Sequence, residues 1–425
     1  MKLLKSSAAV TLAVVFAGMS SGVAAQDTTE VAPGTVITSS NIDELKKGTF
    51  QGYPVADLLS EKIEWQVREW NLTLPLVAPK PIPRDPRLLE ATERYSASVQ
   101  YDPATKMVTG YKAGVPFPNI DMNDPHSGAK VVWNFTYSQP RADVQDLSKF
   151  AFLLIDGETG LERRQFWGYL RYYMKGLVRD TNNPVEGDGT ILDKLLLWAW
   201  YPQDIRGLGT FTLRYDTGKL PDVWAYVRTV RRVRRLSGGA WMDPIGGTDQ
   251  LQDDIEIFNA HPSWYQSYKI LEKRPILYVA NSLKPTWVED AADPIQQHPR
   301  VDLENPPYWN PVDNWEPREV YVVESIPPAE HPYSKKIFYV DAGNWRPIFG
   351  EMYDKKGEFW KFQNFASWPL KTEDGGSAVL SAWGQTADFQ RRHATIFQSH
   401  DSWRVNPPDV TAQEVTLNQL EAGGR

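Results

Sequence analysis

Arg228, Arg231, Arg232, Arg234 and Arg235 place five guanidinium groups within eight residues. The planar guanidinium fork grips phosphate or carboxylate through paired hydrogen bonds. Arg231, Arg232, Arg234 and Arg235 are therefore candidate contacts for a lipid headgroup or an acidic partner surface. In an extended chain Arg231, Val233 and Arg235 share one face, and Arg232, Arg234 and Leu236 share the other. The simpler role is a strand edge kept from pairing by its charge.

A second cluster is acidic: Asp249, Asp253, Asp254 and Glu256. Hydrolysis by paired carboxylates needs two acids across a cleft, one with a raised pKa. Neighbours on a strand point to opposite faces, so Asp253 and Asp254 cannot cooperate there. Loop solvation or pairing with arginines is the expectation. The six histidines form no HExxH or HxH pattern, and the spacing of His393 and His400 suits no standard metal site. No GxSxG elbow, Walker loop or kinase set is present. Glycines at 207, 209, 238, 239, 246 and 247 read as turns, since none forms GxGxxG before a helix. The absence of cysteine excludes thiol catalysis, cysteine-ligated metals and a lipidated N-terminal cysteine. The expectation is a protein without enzymatic activity, metal or cofactor.

The elements that must position these groups are aromatic-rich strands. Seventeen Trp, nineteen Tyr and sixteen Phe make 12% of the chain. Most should serve core and sheet packing, leaving some to line an apolar cavity or stack on sugars. Over Gly209 to Asp216, Phe211, Leu213 and Tyr215 alternate with Thr212 and Arg214, as in a strand. Val223 to Val227 carries Trp224 and Tyr226, and Arg231 to Leu236 is a further strand. Arg163 to Met174, Arg274 to Asn281 and Arg318 to Ile326 are also strand-like. Lys336 to Asp341, Trp345 to Tyr353 and Glu358 to Phe365, joined by short turns, read as a meander holding Tyr339, Phe349 and Trp360. Ser96 to Tyr101 and Met107 to Tyr111 flank a hairpin turn. Leu195 to Trp200 fits helix and buried strand equally. Near the N-terminus, Ser40 or Asn41 caps a short helix. Val55, Leu58, Leu59, Ile63, Val67 and Trp70 then predict one amphipathic helix. Pro75 to Pro86 must run extended. The sum is an α+β layout around one large antiparallel sheet.

Lys2 and Lys5, the apolar run Ala8 to Met19 and the small residues Val23 to Ala25 have the form of a signal peptide cleaved near Ala25. An exported, periplasmic protein follows as the expectation. The formal charge of −7 argues against general nucleic-acid binding. The expected organisation is a signal peptide (1–25), an N-terminal arm with one or two helices (26–95), a β-rich core (96–370) and a C-terminal extension (371–425).

Several stretches carry a family resemblance. They are Tyr111-Lys112-Ala113-Gly114-Val115-Pro116-Phe117-Pro118, Lys130-Val131-Val132-Trp133-Asn134, and Pro202-Gln203-Asp204-Ile205-Arg206-Gly207-Leu208-Gly209-Thr210. Asp222-Val223-Trp224-Ala225-Tyr226, Arg231 to Leu236 and Trp241-Met242-Asp243-Pro244 belong with them. Together, over roughly Glu90 to Phe365, the chain resembles the poorly characterised bacterial family of outer-membrane lipoprotein-sorting-like proteins, related to the LolA/LolB-like carriers. The resemblance implies a curved antiparallel half-barrel with helices covering an apolar cavity that accepts acyl chains. It also assigns Leu195 to Trp200 to a strand. It further implies association with exporters of the resistance-nodulation-division class and with outer-membrane proteins, and it supplies no catalytic residue. The leading expectation is a periplasmic carrier or accessory protein for a lipid or lipoprotein acyl chain. Phe211, Leu213, Tyr215, Trp224, Tyr226, Tyr339, Phe349 and Trp360 are its candidate cavity residues. The alternatives are a glycan-binding or glycan-processing protein and an exporter adaptor that binds no lipid.

Overall fold

The structure is a computed structural model and describes residues 29–138, 142–227, 232–236, 241–283, 287–288 and 290–421. The leader at 1–25 and Arg228 and Arg231 lie outside the described residues.

Fourteen strands form one sheet. In chain order they are β1 (Val144–Asp156), β2 (Gly160–Tyr173), β3 (Ile191–Tyr201), β4 (Leu208–Tyr215), β5 (Asp222–Val227), β6 (Arg232–Arg235), β7 (Ser267–Tyr278), β8 (Glu316–Ile326), β9 (Lys335–Asp341), β10 (Pro347–Tyr353), β11 (Phe359–Lys371), β12 (Ser377–Asp388), β13 (His393–Ser399) and β14 (Trp403–Val405). Across the sheet the order is β6-β5-β4-β3-β2-β1-β13-β12-β11-β10-β9-β8-β7, with β14 also on β1. The strands expected from Arg163 onward and the terminal meander are present, and the ambiguous Leu195 to Trp200 segment is strand, as the resemblance implied. The expected Ser96 to Tyr111 hairpin shrinks to Gln100–Asp102 and Met107–Thr109, paired apart from the sheet, with a helical turn at Ser96–Ser98.

Two meanders thus run outward from a central join between β1 and β13, where Phe152 faces Phe397. This corrects the C-terminal boundary drawn from sequence. The segment beyond residue 370 is no appendage, because β12 and β13 complete the middle of the sheet.

The sheet curls. Leu195 on β3 and Phe365 on β11 are five strands apart, about 24 Å along a flat sheet, yet both line one small cavity. Their shared face is the inner one. The fold is α+β on a curved, open antiparallel sheet, as expected.

Helices assemble against this frame. The single amphipathic helix expected over Val55 to Trp70 is two: a turn at Val55–Leu58 and α1 (Glu61–Glu69). Leu59 is extended between them, and the Ser60 hydroxyl accepts the Ile63 N–H at 3.3 Å, so a cap interrupts the apolar repeat. In α2 (Pro86–Tyr95), Asp85 caps the Arg87 N–H at 2.9 Å and Pro86 opens the first turn. Sequence periodicity left α3 (Ser127–Ser138) unassigned, because it is buried almost all round and has no polar stripe. It lies directly on β7: a Cβ at Gly128 would stand 2.7 Å from the Tyr268 carbonyl carbon.

Both faces of the sheet are covered. On the outer face, Ile37, Phe50 and Val67 of the N-terminal arm pack over Val322, Tyr339, Phe349 and Phe362. Trp287, Val301 and Trp309 cover Leu153, Ile155 and Ile396. Val410, Val415 and Leu420 of the C-terminal tail cover Leu196, Trp198 and Phe211.

Candidate functional site

The inner face is shaped by a topological necessity. β6 and β7 lie at opposite edges of the sheet, so the chain between them must cross it. It does so over the inner face, with residues 241–266 described. Trp241, Ile257, Phe258 and Tyr265 of this crossing pack with α3 on Tyr321, Val323, Phe338 and Phe365.

Three polar anchors hold the crossing in place. The deepest joins it to β9. The Lys336 ammonium donates to Asp253 Oδ2 at 2.9 Å, and to the carbonyls of Asp253 and Ile257 at 3.3 and 3.2 Å. Asp254 Oδ1 lies 2.8 Å from the same nitrogen. Tyr265 and Tyr333 hydroxyls donate to Asp253 and Asp254 at 2.6 and 2.7 Å. All three charged side chains are fully buried. Burial would raise Asp253, yet Lys336 and His331 outweigh it and hold the carboxyl below its ordinary range. Burial would likewise depress Lys336, but the two aspartates hold it above the ordinary lysine value.

The expectation of a solvated or arginine-paired acid cluster is therefore corrected for Asp253 and Asp254. A turn rather than a strand carries them, so adjacent side chains converge on one lysine. Glu256 and Ile257, with φ of 51° and 76°, adopt left-handed backbone at the end of this turn. For a β-branched residue such as Ile257 that conformation is strained and must be held by its surroundings.

The second anchor ties Asn259 to β2 and β4. Arg171 Nη2 and Arg214 Nη1 donate to Asn259 Oδ1 at 3.0 and 2.7 Å. Both arginines also bind the fully buried Asp193. Burial pushes Asp193 up, but the two guanidinium groups bring it below its usual value. The third anchor joins Asp249 to β13. His393 Nδ1 lies 2.6 Å from Asp249 Oδ2, and the Thr395 hydroxyl donates to the same oxygen at 2.8 Å.

Between crossing and sheet, among the described residues, lie two spaces side by side. The smaller, about 90 Å³, has a floor of Leu147, Phe150, Phe152, Tyr169, Leu195, Leu197 and Phe397, with Ile245 and Ile255 above. Most of its exposed surface is apolar, and Gln145, Gln250, Glu256 and Ser381 complete the lining. The larger, about 200 Å³, adjoins it over β4 and β5, with Thr210, Thr212 and Val223 below and Trp241, Asn259, His261 and Trp264 above. Cross-strand pairing sets Leu195 opposite Thr212 and Leu197 opposite Thr210, so the floors are contiguous. Burial of His261 lowers its pKa to about 4, so it is neutral at pH 7.

The candidate cavity residues named from sequence are not brought together. Phe211, Leu213, Trp224 and Tyr226 pack under the C-terminal tail on the outer face. Tyr339 and Phe349 lie beneath the N-terminal arm, and Trp360 packs with Tyr333 and Met352. Tyr215 alone among them lines the larger cavity. The rule that the apolar face of a strand looks into the cavity failed because the outer face is equally apolar and has its own cover. Sequence reasoning missed Phe150, Phe152, Leu195, Leu197 and Phe397. The alternating aromatics of β1 were the signal available, and nothing local told which side they faced. Of the arginine run, Arg232, Arg234 and Arg235 lie on the edge strand β6, all exposed.

Fold and site together define an α+β protein whose curled sheet and crossing segment bound two half-open cavities along one face. The chain belongs to the family described as "Protein of unknown function (DUF1329)", which matches residues 36–420. In sequence the chain is similar to an uncharacterized protein of Pseudomonas aeruginosa, 23% identical over 358 residues, covering 77% of this chain and 68% of that one. Among solved structures it is similar to a putative outer membrane lipoprotein-sorting protein domain from Vibrio parahaemolyticus, with 16% identity, 70% of this chain and 100% of that one covered, and a TM-score of 0.48. It is also similar to a DUF1329 family protein from Desulfovibrio piger, with 14% identity, 66% and 92% covered, and a TM-score of 0.44. A LolA superfamily protein from Nitrosomonas europaea shares 14% identity over 66% and 92% of the two chains, with a TM-score of 0.38.

Proposed function

We propose that this protein is an exported, periplasmic carrier or accessory protein that holds the apolar chain of a lipid-like ligand between the curled sheet and the crossing segment. One observation carries the reading: the cavity floored by Leu147, Phe150, Phe152, Leu195, Leu197 and Phe397 presents mostly apolar surface, with Gln145, Gln250, Glu256 and Ser381 also in its lining. A cleft with mostly apolar walls favours apolar guests, because binding removes that surface from water. Over β9 to β12 the interior is filled by the crossing and its buried ion anchor. The reading is therefore confined to the space over β1 to β5 and β13, bordered by Phe365 of β11 and Ser381 of β12. All seventeen tryptophans are described and none is exposed, which disfavours a sugar-stacking surface.

Displacement of the neutral fluorophore 1-aminoanthracene by single-chain amphiphiles of eight to fourteen carbons tests the proposal. Each buried methylene adds about 0.8 kcal/mol, so affinity should tighten about fourfold per carbon until the space is filled. Leu197→Arg should abolish binding with the fold retained by circular dichroism. Affinity indifferent to chain length, or unchanged by Leu197→Arg, would refute the assignment.

A further inference from the structure

We infer that the ligand is an anionic amphiphile that lies across the strands with its head at the free β6 edge, held by Arg232 and Arg234. The inference rests on the proposed apolar-chain site and adds the head chemistry and the direction of the ligand.

Strand register supplies the first observation. Tyr169 pairs with Leu197, Leu197 with Thr210, Thr210 with Ala225, and Ala225 with Arg234. Directly opposed residues in antiparallel strands share a face. This row therefore runs along the inner face from the apolar floor, over a threonine, to a guanidinium at the edge. The neighbouring row runs Leu195, Thr212, Val223, and Leu236, whose N–H donates to the Val223 carbonyl, lines the larger cavity. The first row thus ends on a cation at the edge, while the second stays largely apolar up to Leu236 and lets a chain reach that edge. Leu197 and Arg234 are three strand spacings apart, about 14 Å, which an extended alkyl chain spans.

Charge pairing supplies the second observation. Arg235 projects to the opposite face, where its guanidinium stands 5.9 Å from the Trp224 ring and pairs with Asp222. Arg232 and Arg234, two residues apart and so on the inner side, have no ion-pair or hydrogen-bond partner among the described residues. The other cations beside the larger cavity are committed, Arg214 to Asp193 and Lys219 to Asp222. Asp243 also lines that cavity, and its charge sets the head outward at the edge rather than inside. Charge that merely guards a strand edge against pairing does not require the unpaired arginines to share the cavity face.

Carboxylate and phosphate heads are the shared chemistry, and the test separates them. Dodecanoate, dodecyl phosphate and neutral dodecyl maltoside are compared for displacement of 1-aminoanthracene from the full-length protein at low and at 0.5 M salt. Two exposed arginine contacts should favour the anions about tenfold at low salt, and salt should erase the preference. Arg232→Gln with Arg234→Gln should remove the preference and leave dodecyl maltoside unchanged, while Arg235→Gln keeps it. A stronger loss for dodecyl phosphate than for dodecanoate would assign a phosphate head, and the reverse a carboxylate. Equal affinity for charged and neutral ligands, or a preference that survives the double substitution, overturns the inference and leaves the apolar site standing. No binding by any of the three defeats both.

Discussion

Replacing Lys336 by methionine tests whether the crossing segment is fastened to the sheet by charge. The ammonium is fully buried and is shared by Asp253 and Asp254 at 2.9 and 2.8 Å. Methionine keeps the length of the side chain and removes the cation, leaving two buried carboxylates side by side. Taking one partner from a buried ion pair costs about 3–5 kcal/mol, a large share of a typical stability of about 5–15 kcal/mol.

The loss should also depend on pH, and the sign is fixed. In the native protein Asp253 lies below the ordinary carboxylate value against the effect of burial. Its contribution is therefore present above about pH 3.9 and lost only as pH falls through the lower folded value. Without Lys336, burial governs and the folded value rises above the unfolded one. The variant then binds a proton on folding and becomes less stable as pH rises through that raised value. Urea unfolding followed by tryptophan fluorescence should show a deficit at pH 8 that narrows at pH 5. Adding Asp253→Asn and Asp254→Asn should recover most of it at pH 8. A deficit under about 1 kcal/mol, or one equal at both pH values, would refute an electrostatic anchor.

Two further outcomes follow from the same structure. His393 is raised above the ordinary histidine value, chiefly by its hydrogen bond to Asp249, against partial burial and with help from Glu162. Its contribution is present below about pH 6.5 and lost as pH climbs through the raised value. His393→Gln should therefore cost about 1 kcal/mol at pH 6 and little at pH 9; parallel pH–stability curves for the two proteins would exclude the clasp. Deleting residues 407–425 should uncover Phe211, Leu196 and Trp198. Loss of three buried aliphatic anchors, Val410, Val415 and Leu420, should lower stability by about 5 kcal/mol and create binding of anilinonaphthalene sulfonate. An unchanged melting temperature with no dye binding would show that the tail is dispensable.

Local pattern was enough to find most of the strands. Alternation at Phe211, Leu213 and Tyr215, and short turns between β9, β10 and β11, are signals within a few residues of one another. What failed is non-local. Lys130 to Asn134 form part of a helix buried on most sides, and helical periodicity shows only where one side meets water. Asp253 and Asp254 gain their meaning from Lys336, some eighty residues away, and a turn lets them converge. Phe211 and Phe150 are equally apolar, but one faces the tail and the other the cavity. Parity along a strand distinguishes two faces without saying which is inside. Alternation already set Arg232 and Arg234 on one face and Arg235 on the other, and register alone told which face lies inside.

The join between β1 and β13 sets a condition on how the chain matures. β1 is made early, yet its partner is among the last strands to leave the ribosome. Until then each meander can form its own hairpins while β1 offers an open edge, a template for wrong pairings. Closing a pairing between strands so distant in sequence is slow, because the loop entropy is met before any contact repays it. A chaperone that shields β1 until the C-terminal strands arrive would find here a client with a defined vulnerable edge.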